Sequence, residues 1–232
     1  MTDIKAKKTI LAVSAHPDDI EFSSGGTMFK YKQEGYEIYF AVATNGENGF
    51  KIDHKPRAER VRIRHAEQLR AAKILGVKKV FFLNYKDCYL KYDDNLRKKL
   101  SMIIKQVKPE IIFSFDPANR SFESVNLLHR DHRVIAEAVF DAVFAARNRY
   151  LYPGQSFAVK QFRFFGCDKP NYYENITKFI NDKISLIAAH RSQFSDHDSM
   201  SEWVRTHLSS YTKKYKYSEK FRVVNITQPF IK

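Results

Sequence analysis

Short apolar runs and helix-period stretches alternate along the first half of this chain, and that alternation most restricts what it can fold into. Strand-like runs occupy Thr9–Ser14, Glu37–Thr44, 79–83 and 110–115, with helix-period stretches at about 26–33, Arg57–Leu75 and Asp94–Val107 between them. Gly35, Gly76 and Pro109 stand where helices are expected to stop. Strands separated by helices imply βαβ units with right-handed crossovers, hence a mostly parallel sheet covered by helices on both faces. The expected class is therefore α/β, Rossmann-like. At 232 residues and 44% apolar content, one domain (1–232) with a substantial core is the simplest organisation. The segment Thr44-Asn45-Gly46-Glu47-Asn48-Gly49 lacks the spacing of a dinucleotide fingerprint and reads as a flexible lip beside the strand ends.

The first strand has the composition of a fully buried parallel strand and runs out into Ala15-His16-Pro17-Asp18-Asp19-Ile20-Glu21. Ligands of open α/β sheets bind at such carboxyl ends. His16 and Asp19 offer one imidazole and one carboxylate to a divalent metal, and Pro17 stiffens the link between His16 and Asp18. Asp18 points elsewhere and is free to act as a base. Ser23 to Thr27 are small residues that let the chain turn before the helix-like stretch to Gln33.

The fourth strand ends at Asp116-Pro117, and a loop leads to His129-Arg130-Asp131-His132-Arg133. The apolar pattern that follows marks a helix starting near Asp131. This places His129 and His132 at a loop-to-helix junction near another strand end. One of them can complete a metal triad while the other stays uncoordinated. On the helix 57–75, Val61, Leu69, Ala72 and Leu75 are expected to face the sheet and most arginines to face water. From Tyr150 onward the pattern is less regular: 160–166 alternates like a strand, 175–189 and 199–215 read as helices, and 221–226 as a last strand.

Composition narrows the function. No apolar run reaches the roughly 18 residues a membrane span needs, and the N-terminal residues lack a signal-peptide core, which favours the cytoplasm. Cys88 and Cys167 are too few for a disulfide framework and read as ordinary thiols. The net charge of +14 invites a nucleic-acid partner, and Tyr211, Tyr215 and Tyr217 interleave with a basic stretch. No nucleic-acid motif accompanies them, so solvated basic faces, with some attraction for anionic substrates, are the better account. The sequence permits a homo-oligomer.

The string A-H-P-D-D-I-E-F-S-S-G-G-T resembles the signature of the LmbE-like (PIG-L) family of zinc-dependent de-N-acetylases. The likeness continues through Thr44 to Glu47, Arg64-x-x-Glu67-x-x-x-Ala71-x-x-x-Leu75-Gly76-Val77, His129-x-Asp131-His132-Arg133 and Ala189-His190-Arg191-Ser192-Gln193, spanning about residues 8 to 195. The resemblance implies one Zn2+ per chain held by His16, Asp19 and His132, with Asp18 as general base for a zinc-activated water. It further implies His129 as the catalytic histidine, with Asp131 its orienting partner. Arg64 and Asp87 match positions that contact the sugar in some members; the alternative for Arg64 is a surface arginine paired with Glu67. His190 matches a position near the site, but a packed structural histidine is the better reading. Leu127 stands where members often carry a tyrosine, so no oxyanion contact from a tyrosine is expected there.

The activity implied is removal of the acetyl group from an N-acetylglucosamine-type conjugate, a small-molecule substrate. The alternatives are a zinc amidohydrolase for another N-acylated small molecule, such as a mycothiol-type or bacillithiol-type conjugate, or a polyanion-binding protein. The last would leave His16, Asp19 and His132 without a purpose.

Overall fold

The computed structural model describes residues 8–50, 55–121, 128–194, 196–209 and 211–226. The first seven residues, Asn126 and Leu127 lie outside them. β1 (Thr9–Ser14) is buried along its whole length, as a strand covered on both faces must be. It pairs in parallel with β2 (Glu37–Thr44) on one side and β4 (Ile111–Phe115) on the other. β3 (Lys79–Tyr85) extends the sheet beyond β2 and β5 (Gln161–Phe165) beyond β4, both in parallel. β7 (Ser218–Asn225) and β6 (Tyr172–Asn175) add antiparallel strands, so the seven-stranded order is β3-β2-β1-β4-β5-β7-β6.

The chain moves outward from β1 through β2 to β3, then returns across β1 to β4. Right-handed crossovers therefore put α1 (Asp19–Gln33) and α2 (Arg57–Leu75) on one face, and α3 (Asp94–Val107) and α4 (Arg130–Arg147) on the other. α3 and α4 pack on each other, while α1 and α2 both pack on α5 (Ile180–Ile187). α6 (His197–Ser209) leans on α5 and β7. The direction reverses between β1 and β4, so the crevice outside their carboxyl ends is the place for a ligand. No helix among the described residues is long and apolar enough to cross a membrane.

The expected α/β class holds, with three differences of detail. α1 begins at Asp19 and runs straight through Ser23 to Thr27, where a turn was expected. Small residues are there for close approach: a Cβ on Gly26 would lie 2.7 Å from Ile176 Cδ1. The inward face of α2 is the expected one only in part: Ala72 and Leu75 are buried as expected. Leu69 is 52% exposed, whereas Arg64, Glu67 and Gln68 are buried, because the first half of this face looks onto the crevice rather than onto apolar sheet. In the last third, the segment expected as helix at 175–189 begins as the end of β6, passes through a 3-10 turn at Thr177–Phe179 and is α-helical only over α5.

An ion pair is set into α1. Lys183 of α5 and Glu219 of β7 are 1% exposed and meet at 2.5 Å. The Glu219 carboxylate accepts from the amides of Gly26 (3.0 Å) and Thr27 (2.7 Å). The Lys183 ammonium donates to the carbonyls of Glu21 (3.0 Å) and Phe22 (2.5 Å). In a regular helix the Gly26 amide would serve the Phe22 carbonyl; here the pair stands on both ends of that rung. Elsewhere on the surface, Lys214, Lys216 and Lys220 lie 4.7–5.5 Å over the rings of Tyr215, Tyr217 and Tyr211. The alternation of lysine and tyrosine is thus satisfied within the chain.

Replacing Lys183 by methionine keeps most of the volume and strips the charge from Glu219. Breaking a buried pair on one side costs about 3–5 kcal/mol, and denaturant unfolding of Lys183→Met should show a loss of that size. A loss below about 1 kcal/mol would show that α1 does not depend on the pair.

Candidate functional site

The segment after β1 is shaped by Asp19, the first residue of α1. Its Oδ2 accepts from the amides of Ala15 (3.1 Å) and His16 (2.8 Å), folding the chain back on itself. Asp18 is forced into left-handed backbone at φ 99°, a conformation that costs a non-glycine residue about 1–3 kcal/mol. Gln68 accepts from the Asp18 amide, and Arg64 Nη2 donates to Asp18 Oδ2 at 2.9 Å and to the Pro17 carbonyl. The two adjacent carboxylates thereby face different partners.

His132, in the first turn of α4, lies flat on Phe115 at the end of β4, ring centroids 3.9 Å apart. Its Nε2 is 3.1 Å from His16 Nδ1 and 3.3 Å from Asp19 Oδ1, and His16 Nδ1 is 3.5 Å from Asp19 Oδ2. A tetrahedral ion with N and O bonds of about 2.0–2.1 Å spaces its ligand atoms about 3.3 Å apart. The two imidazole nitrogens and the Asp19 carboxylate, which meets His132 through Oδ1 and His16 through Oδ2, therefore stand at spacings close to those of such a site. A second grouping, with His129 beside His16 and His132, also brings three donors within 4.8 Å.

The other nitrogen of His16 explains two further carboxylates. Nε2 is buried 3.1 Å from Asp87 Oδ1 and 3.4 Å from Asp131 Oδ2, in line with neither. Asp131 is fully buried, and its carboxylate accepts from the amides of Cys88 (2.7 Å) and Leu90 (3.2 Å). The expected pairing of this carboxylate with His129 is not seen. His129 caps α4 itself: its Nδ1 accepts from the Asp131 amide at 3.2 Å. The backbone of Asp131 holds His129, and its side chain is turned to His16.

Charge follows from these contacts. Burial would raise Asp19, but His132 and His16 hold its carboxyl well below the usual range. Burial would lower His16, yet Asp19, Asp131 and Asp87 push it well above the ordinary imidazole value. Asp87 is held at about 2, the pull of His16 and the Asn48 amide outweighing burial. Asp18 goes the other way: burial raises it and Arg64 offsets only part of that. His129 is lowered by burial and by the neighbouring charges of His16 and His132, not raised as an Asp131 partnership would require.

Around this centre lies a cleft of about 620 Å³ lined by residues from four strand ends, including Asp18, Asp19, Arg64, Asp87, His129 and His132. Arg64 is 2% exposed, so it is not the surface arginine of the alternative reading, although Glu67 Oε2 does lie 3.5 Å from its Nη1. Its Nε faces no hydrogen-bond partner among the described residues. The lip, Gly46 to Gly49, is pinned: Asp87 accepts from the Asn48 amide, and buried Glu47 accepts from Arg57 at 2.9 Å and from the Asp87 amide. Cys88, Phe22, Asn48, Gln193 and Phe194 also line the cleft. None was singled out from the sequence as a site residue, although Phe22 and Gln193 stand in the family motifs and Asn48 in the lip. His190 is packed at zero exposure behind the site, 3.6 Å from Glu21. Cys167 is buried, and burial pushes its thiol up to about 11.

Residues 11–143, more than half of the chain, match the PIG-L family of GlcNAc-PI de-N-acetylases. The chain belongs to this family of enzymes. A diacetylchitobiose deacetylase of Thermococcus kodakarensis is 29% identical over 228 residues, covering 94% of this chain and 83% of its own. A probable N-acetyl-alpha-D-glucosaminyl L-malate deacetylase 2 of Bacillus anthracis is 26% identical over 224 residues, covering 94% of both. The solved structure of the N,N'-diacetylchitobiose deacetylase from Pyrococcus horikoshii aligns with a TM-score of 0.84 at 29% identity, over 95% of this chain and 85% of that one. These three relatives of the PIG-L chain are deacetylases by name, hydrolases of N-acetyl amide bonds.

The seat of the lip is testable at Gly46, whose φ is 62° and where a Cβ would lie 2.8 Å from Pro17 Cδ and 3.0 Å from Arg64 Nε. Gly46→Ala should lower stability by about 1–3 kcal/mol, combining left-handed strain with overpacking. An unchanged melting temperature would mean that the lip is not seated on Pro17.

Proposed function

We propose that this chain is a zinc-dependent de-N-acetylase acting on an N-acetylglucosamine-type conjugate. The observation that carries the reading is the triangle of His16 Nδ1, His132 Nε2 and Asp19, with edges of 3.1–3.5 Å, beside an Asp18 that takes no part in it. Mixed nitrogen and oxygen donors at these spacings fit zinc, and the carboxylates of Asp18, Asp19, Asp87 and Asp131 supply the negative surroundings a dication needs. His16, Asp19 and His132 would hold the ion. When bound, it polarises the amide carbonyl and acidifies water.

The remaining steps belong to side chains. Asp18 takes the proton of the attacking water, a task suited to a carboxylate whose burial raises its basicity. Arg64 fixes the orientation of that carboxylate through Nη2. His129 accepts at Nδ1 from the Asp131 amide, which leaves its proton on Nε2. From there it donates to the oxyanion that develops on the acetyl carbonyl. Asp18 then returns its proton to the departing amine. Asp87, held in place by Asn48, faces the cleft where sugar hydroxyls would lie. Acetate and a free amino sugar are the products.

His16 Nε2 between Asp87 and Asp131 matches the support that metal-binding histidines commonly receive from a carboxylate on the far nitrogen. We accordingly assign Asp131 as the positioning residue of His16.

Three outcomes test these assignments. Metal analysis of His132→Ala should show zinc content far below one per chain; full stoichiometry would remove His132 from the ligand set. Asp18→Asn and His129→Ala should both retain zinc, with His129→Ala about 10²–10⁴-fold slower in acetate release. Zinc loss in His129→Ala would select the three-histidine grouping instead. Competition with a chelator should show zinc affinity falling about 10–100-fold in Asp131→Asn, whereas an orienting role toward His129 predicts unchanged affinity and slower turnover alone.

A further inference from the structure

A second cavity, about 200 Å³, opens beneath α6 and is lined by Phe22, Phe115, Trp203, Leu208 and Tyr211 among others. Two residues join it to the catalytic cleft. Phe22 lines both spaces, and Phe115 carries the ring of His132 on one face while lining the cavity. The polar groups around the cavity are already committed to one another. Lys183 is paired with Glu219, Tyr211 and His207 Nε2 are 2.6 Å apart, and Lys220 lies 4.7 Å over the Tyr211 ring. What the cavity offers a ligand is therefore aromatic and aliphatic surface.

Trp203 gives that surface its shape. It is 53% exposed, stacked on His207 on one side with ring centroids 4.9 Å apart, and edge-on to Phe22 at 6.2 Å. Phe194, another residue of the cleft wall, lies 5.5 Å from Phe22. A line of rings thus leads from the cleft to Trp203. An apolar cavity of about 150 Å³ holds a benzene ring, so this one has room for a single ring.

We propose that this cavity is the aglycone subsite, and that it selects N-acetylglucosamine conjugates whose aglycone carries a flat apolar ring. The proposal rests on the de-N-acetylase reading and gives its substrate class. The sugar occupies the cleft at Asp18 and Arg64, and the aglycone passes Phe22 to lie against Trp203.

Trp203 is the single tryptophan of the chain, so its fluorescence reports the subsite directly, whether or not turnover follows. The zinc-loaded protein is titrated with the methyl and the phenyl β-glycosides of N-acetylglucosamine, and kcat/KM is measured for acetate release from each. The phenyl glycoside should shift or quench the emission saturably and the methyl glycoside should not. The phenyl-to-methyl ratio of kcat/KM should be about 10–100, the worth of burying one ring. It should fall toward one in Trp203→Ala and be largely kept in Trp203→Phe. Equal ratios with no change in emission would overturn the subsite while leaving the deacetylase reading intact. A phenyl-dependent emission change without acetate release from either glycoside would uphold the subsite and overturn the deacetylase reading. If a longer N-acyl chain, but not the phenyl group, perturbs Trp203, the cavity is an acyl pocket and the proposal fails.

Discussion

The Lys183–Glu219 ion pair decides how the two parts of the chain depend on each other. Both residues come from the last third, and both put their charges into the backbone of α1, the helix that follows the His16–Asp19 turn. A buried pair is seldom worth much by itself, because desolvation offsets attraction. This one has four backbone groups to satisfy as well, and those groups would be costly if orphaned in the core. The last third is therefore a structural support for the His16–Asp19 turn in addition to a wall of the cleft. The family match ends at residue 143, yet the geometry at residues 16–19 leans on residues well beyond it.

Within the site, one imidazole organises three carboxylates. His16 presents Nδ1 to Asp19 and His132, and Nε2 to Asp87 and Asp131. Each acid is also anchored by backbone amides: Asp19 by Ala15 and His16, Asp87 by Asn48, Asp131 by Cys88 and Leu90. Loops after β1, β2 and β3 and the start of α4 are tied to one point this way. The positive charge of the chain lies elsewhere; apart from Arg64 and the imidazoles, the residues singled out around the cleft are acids and neutral groups.

Much of this was legible in the sequence, for physical reasons that differ by element. The parallel strands declared themselves because a strand covered on both faces must be apolar throughout, as at Ile10 to Val13. The turn at His16 to Asp19 was recognisable because its chemistry needs those side chains next to a strand end. Helix α2 was bounded correctly and faced correctly at Ala72 and Leu75 but not in its first half: an apolar stripe points to a core, and there the inward face is Arg64, Glu67 and Gln68. The pairing of Asp131 with His129 failed because neighbours in sequence need not meet by their side chains. The capping geometry at the start of α4 brings the Asp131 amide to His129 and sends the carboxylate under the β3 loop. The stretch at 172–180 was unreadable because β6 exists only through its pairing with β7, far along the chain.

Asp18 has one more consequence. Its left-handed backbone is strained for an aspartate and free for a glycine, and its side chain does not cap the helix it precedes. With Asp18 as the proposed base, the residue best suited to folding at this position is thus not the one the proposed chemistry uses. A lineage released from the need for catalysis would gain stability by losing this aspartate, while the neighbouring Asp19, which ties the turn together, would be retained for the sake of the fold. On that proposal, stability and activity pull in opposite directions at one residue and together at the next.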